Sequence, residues 1–241
     1  MKNLMLTIIL ITFFLSITNS IAQDRNGISQ ISRIYNHWMS FKSFTCQGDY
    51  AYVATGYSGL QILDITDPEN FSPVGYLDDT PGEVKHVGVH GGIACLVDNT
   101  GLLLIVDISE PENPTVLGSI VCPTNVMSIF VNDGYTYLGL HQYSSNLIII
   151  DISDPENPVE VGVFNENIGR EINDIVVRDT LAFASFWQRG YRIINIANLD
   201  SMTVVDTIAV DGQQYLGELQ LIGDMAICAG GYNLYYFDIT D

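Results

Sequence analysis

Basic residues are scarce in this chain. Its 241 residues include nine Lys and Arg against 28 Asp and Glu, a formal net charge of −19. Nucleic acid and anionic membrane surfaces both reward clustered Lys and Arg, so neither is an expected partner. Cysteines and histidines are also few, at four each. Cys46, Cys95, Cys122 and Cys228 form no Cys-x-x-Cys pair, and His37, His86, His90 and His141 offer no zinc-ligand spacing. No metal site or cofactor is therefore expected. A Gly-x-Ser-x-Gly elbow and a phosphate-cradling glycine loop are both missing, so no linear motif points to catalysis.

Long apolar runs are confined to the N-terminus. Lys2 precedes an apolar core over residues 4–17, and Ser20 and Ala22 supply small residues before Gln23. This pattern predicts a cleaved export signal over residues 1–22 and a mature domain over residues 23–241. The core is short for a membrane span, and no later stretch is long enough, so no membrane insertion is expected after cleavage. The expected location is outside the cytoplasm, in the periplasm, at the cell surface or in the medium. Acidity there helps to keep a β-rich protein soluble.

What the chain has in abundance is one sentence repeated. Residues 101–118 read GLLLIVDISEPENPTVLG, 59–75 read GLQILDITDPENFSPVG, and 146–162 read NLIIIDISDPENPVEVG. A degenerate copy starts at Tyr191 and a cut-off one at Asn233. The landmark residues Asp64, Asp107, Asp151, Asn195 and Asp238 are 43, 44, 44 and 43 apart. Each copy has a continuous apolar run, suited to a strand covered on both faces, then a proline turn, then a second strand. Before each run lies another hairpin: residues 43–54, 86–97, 128–139, 174–185 and 218–229. In these, Phe44, Val87, Ile129, Ile175 and Leu219 share one column, and Cys46, Val89, Val131, Val177 and Leu221 the next. Four strands per period of this length predict an all-β propeller of four-stranded blades, about five of them.

Leu104-Ile105-Val106-Asp107-Ile108-Ser109-Glu110-Pro111 and its copies resemble the LVIVD-repeat family of bacterial exported propeller-like proteins. The resemblance covers nearly everything after the signal segment and implies the propeller architecture, without implying an activity. The fourth copy departs from the motif, with Asn195 and no proline. Stepping back one period from residues 74–77 lands on residues 31–34. Residues 31–35 are thus expected to form a lone fourth strand that completes the last blade, which stops after three strands. The chain stops inside a motif at Asp241, which favours a fragment of a longer propeller over a finished five-blade ring.

The proline turns carry hard oxygen ligands, as in Asp64, Asp67, Glu69 and Asn70, but their spacing is not that of an EF-hand. Carboxylates here are expected to accept backbone N–H groups within the turn. Cys46, Cys95 and Cys228 sit in apolar columns and read as buried thiols, and His90 reads as a solvated turn residue. Function is expected where the repeat diverges, in the loops between the second and third strands: residues 55–59, 98–101, 141–146, 186–190 and 230–233. These bring Tyr57, His141, Tyr143, Trp187, Arg189 and Tyr232 to one end. The links between blades add Asp79, Glu83, Lys85, His86 and Glu171. Aromatic rings beside carboxylates and a guanidinium suit a sugar or a peptide. The expectation is an exported, non-catalytic scaffold for a protein or cell-surface partner. The alternatives are a glycan-binding module centred on Trp187 and Tyr143, or a glycan- or lactone-acting enzyme using His86, His141 or Glu171.

Overall fold

The computed structural model describes residues 40–123, 125–141, 146–166, 171–186, 189–208, 216–230 and 233–239. The expected export signal over residues 1–22, the expected closing strand over residues 31–35, and Tyr143, Trp187 and Tyr232 lie outside the described residues. The rest is almost entirely antiparallel sheet. Blade one is β1 (Ser43–Gln47), β2 (Tyr50–Ala54), β3 (Leu60–Asp64) and β4 (Ser72–Leu77). Blade two is β5 (Val84–His90), β6 (Ile93–Asp98), β7 (Leu102–Asp107) and β8 (Thr115–Val121). Blade three is β9 (Val126–Asn132), β10 (Tyr135–Leu140), β11 (Leu147–Asp151) and β12 (Val159–Phe164). Blade four is β13 (Ile172–Arg178), β14 (Leu181–Phe186), β15 (Gly190–Asn195) and β16 (Thr203–Ile208). Blade five has three described strands, β17 (Leu216–Ile222), β18 (Met225–Gly230) and β19 (Asn233–Asp238). Within each blade the strands pair in chain order, and the first strands β1, β5, β9, β13 and β17 pack side by side in turn. This is the expected propeller architecture, with five blades.

Two local devices repeat. The first hairpin of every blade turns on two residues, the first of which has positive φ: Gly48, Gly91, Asp133, Asp179 and Gly223. Gly and Asp tolerate that left-handed backbone, which matches the twist of the strands. The residue after each landmark then donates its N–H to the second turn residue. Ile65, Ile108, Ile152, Ile196 and Ile239 bond to the carbonyls of Asp49, Gly92, Gly134, Thr180 and Asp224 at 2.8–2.9 Å. This ties the start of the proline turn to the tight turn, so both lie at one end of the blade.

The core lies between blades. Tyr52, Leu60 and Ile62 of blade one pack against Ala94, Leu96 and Val106 of blade two. Cys95, Leu103 and Ile105 meet Leu138, Ile148 and Ile150 in the same way. The third and fourth blades meet through Tyr137 and Ile149 against Ala182 and Ala184. The last seam joins Phe183 and Tyr191 to Leu219 and Cys228. Continuous apolar strands follow from this, because each third strand is covered on both faces.

The outer pairing carries a bulge at the same place in four blades, opposite Ile62/Leu63, Ile105/Val106, Ile149/Ile150 and Ile193/Ile194. Beside it sits a glycine in three blades. A methyl group on Gly75 would lie 1.9 Å from the Pro111 carbonyl oxygen, and one on Gly118 would lie 2.2 Å from that of Pro155. The fourth strand of one blade thus lies against the proline turn of the next, and the repeated glycine is a close-approach residue.

Candidate functional site

The proline turns are self-contained. Asp64 Oδ1 accepts from the N–H and Oγ1 of Thr66 at 2.8 and 2.7 Å, and Asp67 accepts from Glu69 N and Asn70 Nδ2. Asp107, Asp151 and Asp154 repeat the arrangement. These bonds hold Asp64, Asp67 and Asp107 below the usual carboxylate range. In the degenerate copy Asn195 keeps the role, accepting from Ala197 N at 2.9 Å. The turn needs an acceptor oxygen and tolerates the loss of charge. The melting temperature is accordingly expected to be unchanged by EDTA; a drop would show that these oxygens hold a cation.

The same end carries ties between blades. Gln47 Nε2 reaches the Gly91 carbonyl at 2.6 Å, and Arg178 Nη1 reaches that of Gly223 at 2.5 Å. At the equivalent place His90 Nε2 lies 3.4 Å from Asp133 Oδ1. His90 is therefore not merely solvated. It closes the column that Gln47 and Arg178 also occupy, each reaching the tight turn of the following blade.

The divergent loops gather at the opposite end. Asn99 N donates to the Glu83 carbonyl at 2.9 Å, and Glu83 N to Asn99 Oδ1, which joins an interblade link to a loop between second and third strands. Glu83 then takes Lys42 on one oxygen at 2.6 Å and Lys85 on the other at 2.5 Å. The two bonds hold Glu83 below its ordinary value, that from Lys42 most strongly, and Glu83 in turn raises Lys42. Tyr57 stands exposed near Lys42. Glu83→Gln is expected to lower the melting temperature at neutral pH. Wild type and variant should converge as acid protonates Glu83, which thermal scans from pH 7 to pH 3 would check.

His86 and His141 are each tied to the backbone of residues 125–126 at the start of β9. His86 hydrogen-bonds the Val126 backbone, but burial dominates and keeps the imidazole below its ordinary value. His141 N donates to the Asn125 carbonyl at 3.0 Å, and Nε2 lies 3.4 Å from Glu171 Oε2. Arg189 is exposed, and its carbonyl accepts from Arg192 Nη1 at 2.8 Å. Asp79 is exposed at this end and makes no ion pair with its neighbours among the described residues.

Three groups escaped the sequence reading. Arg192 directs Nε to both oxygens of Glu166 at 2.9 Å and lies 5.6 Å from the Phe186 ring centre. Its signal was a charge in a strand column that holds Leu104 and Ile148. Asp98 anchors its loop by accepting at Oδ1 from Thr100 N, Thr100 Oγ1 and Leu102 N, while its buried Oδ2 has no partner among the described residues. Asp174 accepts from Ile175 N at 2.9 Å and, across the seam, from Leu219 N at 2.6 Å. Burial pushes its carboxyl up to about 7. Its column reads Ser43, His86, Ser128, Asp174 and Glu218, and Ser43 Oγ likewise accepts from Val87 N of the next blade at 3.1 Å.

All four cysteines are free, with Cys95, Cys122 and Cys228 buried and Cys46 half-buried. Burial raises each thiol, to about 11 or 12. No group of three His, Cys, Asp or Glu side chains is placed to hold a metal ion among the described residues. No described helix is long and apolar enough to cross a membrane.

Known proteins resemble this chain in fold. The computationally designed Ika8 protein matches at 10% identity over 87% of this chain and 61% of its own, with a TM-score of 0.65. The β-propeller domain of Cps50 (Swd1) from Myceliophteria thermophila matches at 10% identity over 84% of this chain and 70% of its own, at 0.62. The designed Ika4 protein matches at 9% identity over 70% of this chain and 99% of its own, at 0.53. The chain thus spans about three fifths of the length of Ika8. At these identities the likeness concerns architecture alone. No curated protein matches the sequence. The LVIVD repeat model matches residues 42–79, 81–121 and 123–166, half of the chain. With the repeated bulge, turn and glycine seam in those same blades, the chain belongs to the LVIVD repeat family.

Proposed function

We propose that this chain is an exported, non-catalytic scaffold that binds a protein or glycan partner at a cell surface through its divergent-loop end. One observation carries the reading. The turn end spends its polar groups on its own turns and on neighbouring blades. The loop end instead presents side chains that differ at every blade, held by Glu83 with its two lysines, by His141 with Glu171 and by Arg192 with Glu166. Such pairs fix a polar rim in advance of binding, which lowers the ordering cost of association. Tyr57 and Arg189 stand exposed on it, and both residue types serve as interface anchors.

The test compares wild type with Tyr57→Ala/His141→Ala/Arg189→Ala on intact cells and on a glycan array. The variant is expected to melt like wild type and to lose binding by about tenfold or more. Equal binding by the two, or no binding by folded wild type on either support, would remove the proposal. The His141–Glu171 pair also favours a second reading, a hydrolase or lyase acting on glycans or lactones, because a carboxylate can orient an imidazole for proton transfer. Any such activity that survives both His86→Ala and His141→Ala would sink that site.

A further inference from the structure

The first strands carry a second repeated irregularity, at the loop end. Their pairing with the second strands slips by one residue between Val84 and His86, between Val126 and Ser128, between Ile172 and Asp174, and again between Leu216 and Leu219. The residue left out of the ladder is Lys85 in blade two, Met127 in blade three and Asn173 in blade four. A bulge of this kind re-aims a side chain away from its ladder position. Lys42 holds the same place in blade one, one period before Lys85, and its N–H donates to the Ala54 carbonyl at 3.0 Å just ahead of β1.

Two neighbouring first strands thus place a lysine at the same spot, and β1 packs beside β5. Both lysines reach Glu83, with Lys42 Nζ 2.6 Å from Oε1 and Lys85 Nζ 2.5 Å from Oε2. One carboxylate spans the two ammonium groups with one oxygen each, so their spacing is that of a carboxylate. The lysine side chains are 26 % and 35 % exposed, against 15 % for Glu83, so the acid is the more covered partner. An ammonium has three donors, and Glu83 takes one from each. Tyr57 stands exposed beside Lys42. Basic residues are also placed unevenly. Of the five among the described residues, Lys42, Lys85, Arg189 and Arg192 lie at the loop end, while Arg178 at the turn end is spent on the carbonyls of Gly223 and Ile239. The turn end meanwhile carries Asp64, Asp67, Asp107, Asp151 and Asp154. An anion is repelled there and meets positive charge at the loop end.

We propose that Lys42 and Lys85 form a site for the carboxylate of an acidic sugar, with the ring of Tyr57 against the sugar face. This deepens the reading of the loop end as the binding end, and rests on it. The ligand carboxylate takes the remaining donors of both ammonium groups from the solvent side, opposite Glu83. The lysine pair offers donors and no acceptor, which selects an anion over a neutral sugar. The exposed tyrosine offers an apolar ring face with a polar tip, which suits the C–H face of a pyranose beside its hydroxyls. Glu83 holds the two lysines at the right spacing and at the same time competes with the ligand for them.

Calorimetric titration with trigalacturonate, its methyl ester and triglutamate at low salt tests the site. Trigalacturonate is expected to bind about tenfold or more tighter than the ester, since charge-assisted hydrogen bonds are the strong ones, and to weaken as salt is added. Lys85→Met gives blade two the residue that blade three carries at this place, and should weaken trigalacturonate by about tenfold while circular dichroism stays unchanged. Glu83→Gln should bind it tighter by about threefold or more, because the competing charge is gone. A merely structural Glu83 would give the opposite sign. Equal binding of acid and ester, unchanged affinity in Lys85→Met, weaker binding by folded Glu83→Gln, or no binding of trigalacturonate would each overturn the proposal. Tighter binding of triglutamate than of trigalacturonate would do so too, by assigning the lysines to an acidic peptide. Lys85→Met is also applied to intact cells beside Tyr57→Ala/His141→Ala/Arg189→Ala. Loss of binding by the triple variant alone would leave the loop end as the binding end and remove this site from it.

Discussion

Gly118→Ala is expected to destabilise the protein by about 3 kcal/mol, the upper part of the range for overpacked sites. The added methyl would stand 2.2 Å from the carbonyl oxygen of Pro155 and within 3.1 Å of backbone atoms of Glu156. A backbone atom cannot swing aside as a side-chain tip can. Either the bulged strand β8 must retreat from blade three, or the proline turn must move away from the landmark acid that holds it. Gly75→Ala should behave alike, for its methyl would meet Pro111 at 1.9 Å. Gly162→Ala is the internal control. Its methyl would meet Leu199 Cβ at 3.2 Å and Met202 Cε at 3.3 Å. That seam faces the degenerate turn, a single 3₁₀ turn over Leu199–Ser201, and the methionine tip can yield. Its cost should stay below about 1.5 kcal/mol, offset in part by the lower entropy of the unfolded chain. Urea denaturation of the three variants decides the matter. Equal losses at all three would show that glycine serves the strand itself and not the seam.

Raising the pH from about 4 to about 7 is expected to weaken the attachment of blade five. The carboxyl of Asp174 ordinarily titrates near 3.8 and is pushed up to about 7 by burial at the seam, against the pull of its bonds from Leu219 and Ile175. Through that interval the folded state holds a proton that the unfolded state has released. Stability therefore falls with rising pH across the window and levels off above it. Glu218, on the facing strand, is raised by burial too and adds to the slope in the same direction. Asp64, Asp67, Asp107 and Glu83 act oppositely: their depressed values contribute stability above the ordinary carboxylate range that is lost as pH falls through their own. Asp174→Ser gives blade four the side chain that Ser43 and Ser128 supply elsewhere in the column, and a hydroxyl can still accept from Leu219 N as Ser43 Oγ does from Val87 N. The variant is expected to lose most of the slope and to be more stable than wild type at pH 8. A slope that survives the substitution would show that Asp174 is not its source.

Much of the fold was legible because a repeat repeats its constraints. Five hairpins aligned by period placed Phe44, Val87, Ile129, Ile175 and Leu219 in one column, and the strand registers preserve that column. The acceptor role of the landmark acids was legible too, since Asp beside Pro and Asn has few other uses at that spacing. Seams were not. Period arithmetic says which residues are equivalent, but not that Gly118 will meet Pro155, or that Gln47, His90 and Arg178 will each reach the next turn. Those contacts join residues of adjacent copies, so their partners lie in three dimensions. The candidate site suffered most from this. His86 is tied to Val126 and His141 to Asn125, residues that no motif singles out, while Tyr143, Trp187 and Tyr232 lie outside the described residues. Arg192 and Asp174 announced themselves only as polar residues in apolar columns, a signal that requires the columns first.

The glycine of the fourth strand also bears on how such a chain changes over generations. Gly75 and Gly118 face proline turns closely, Gly162 faces a looser turn, and Asp206 stands at the same position of blade four. Each blade therefore carries, one residue deep, a statement about its successor. A duplication that inserts a blade after Gly118 is accepted only if the newcomer brings a turn that leaves this space, whereas one inserted after Asp206 meets a different demand. Copies that look interchangeable in sequence are then directional in assembly. Recombination between them would be filtered at the seams, and the order of the blades would be inherited along with the blades themselves.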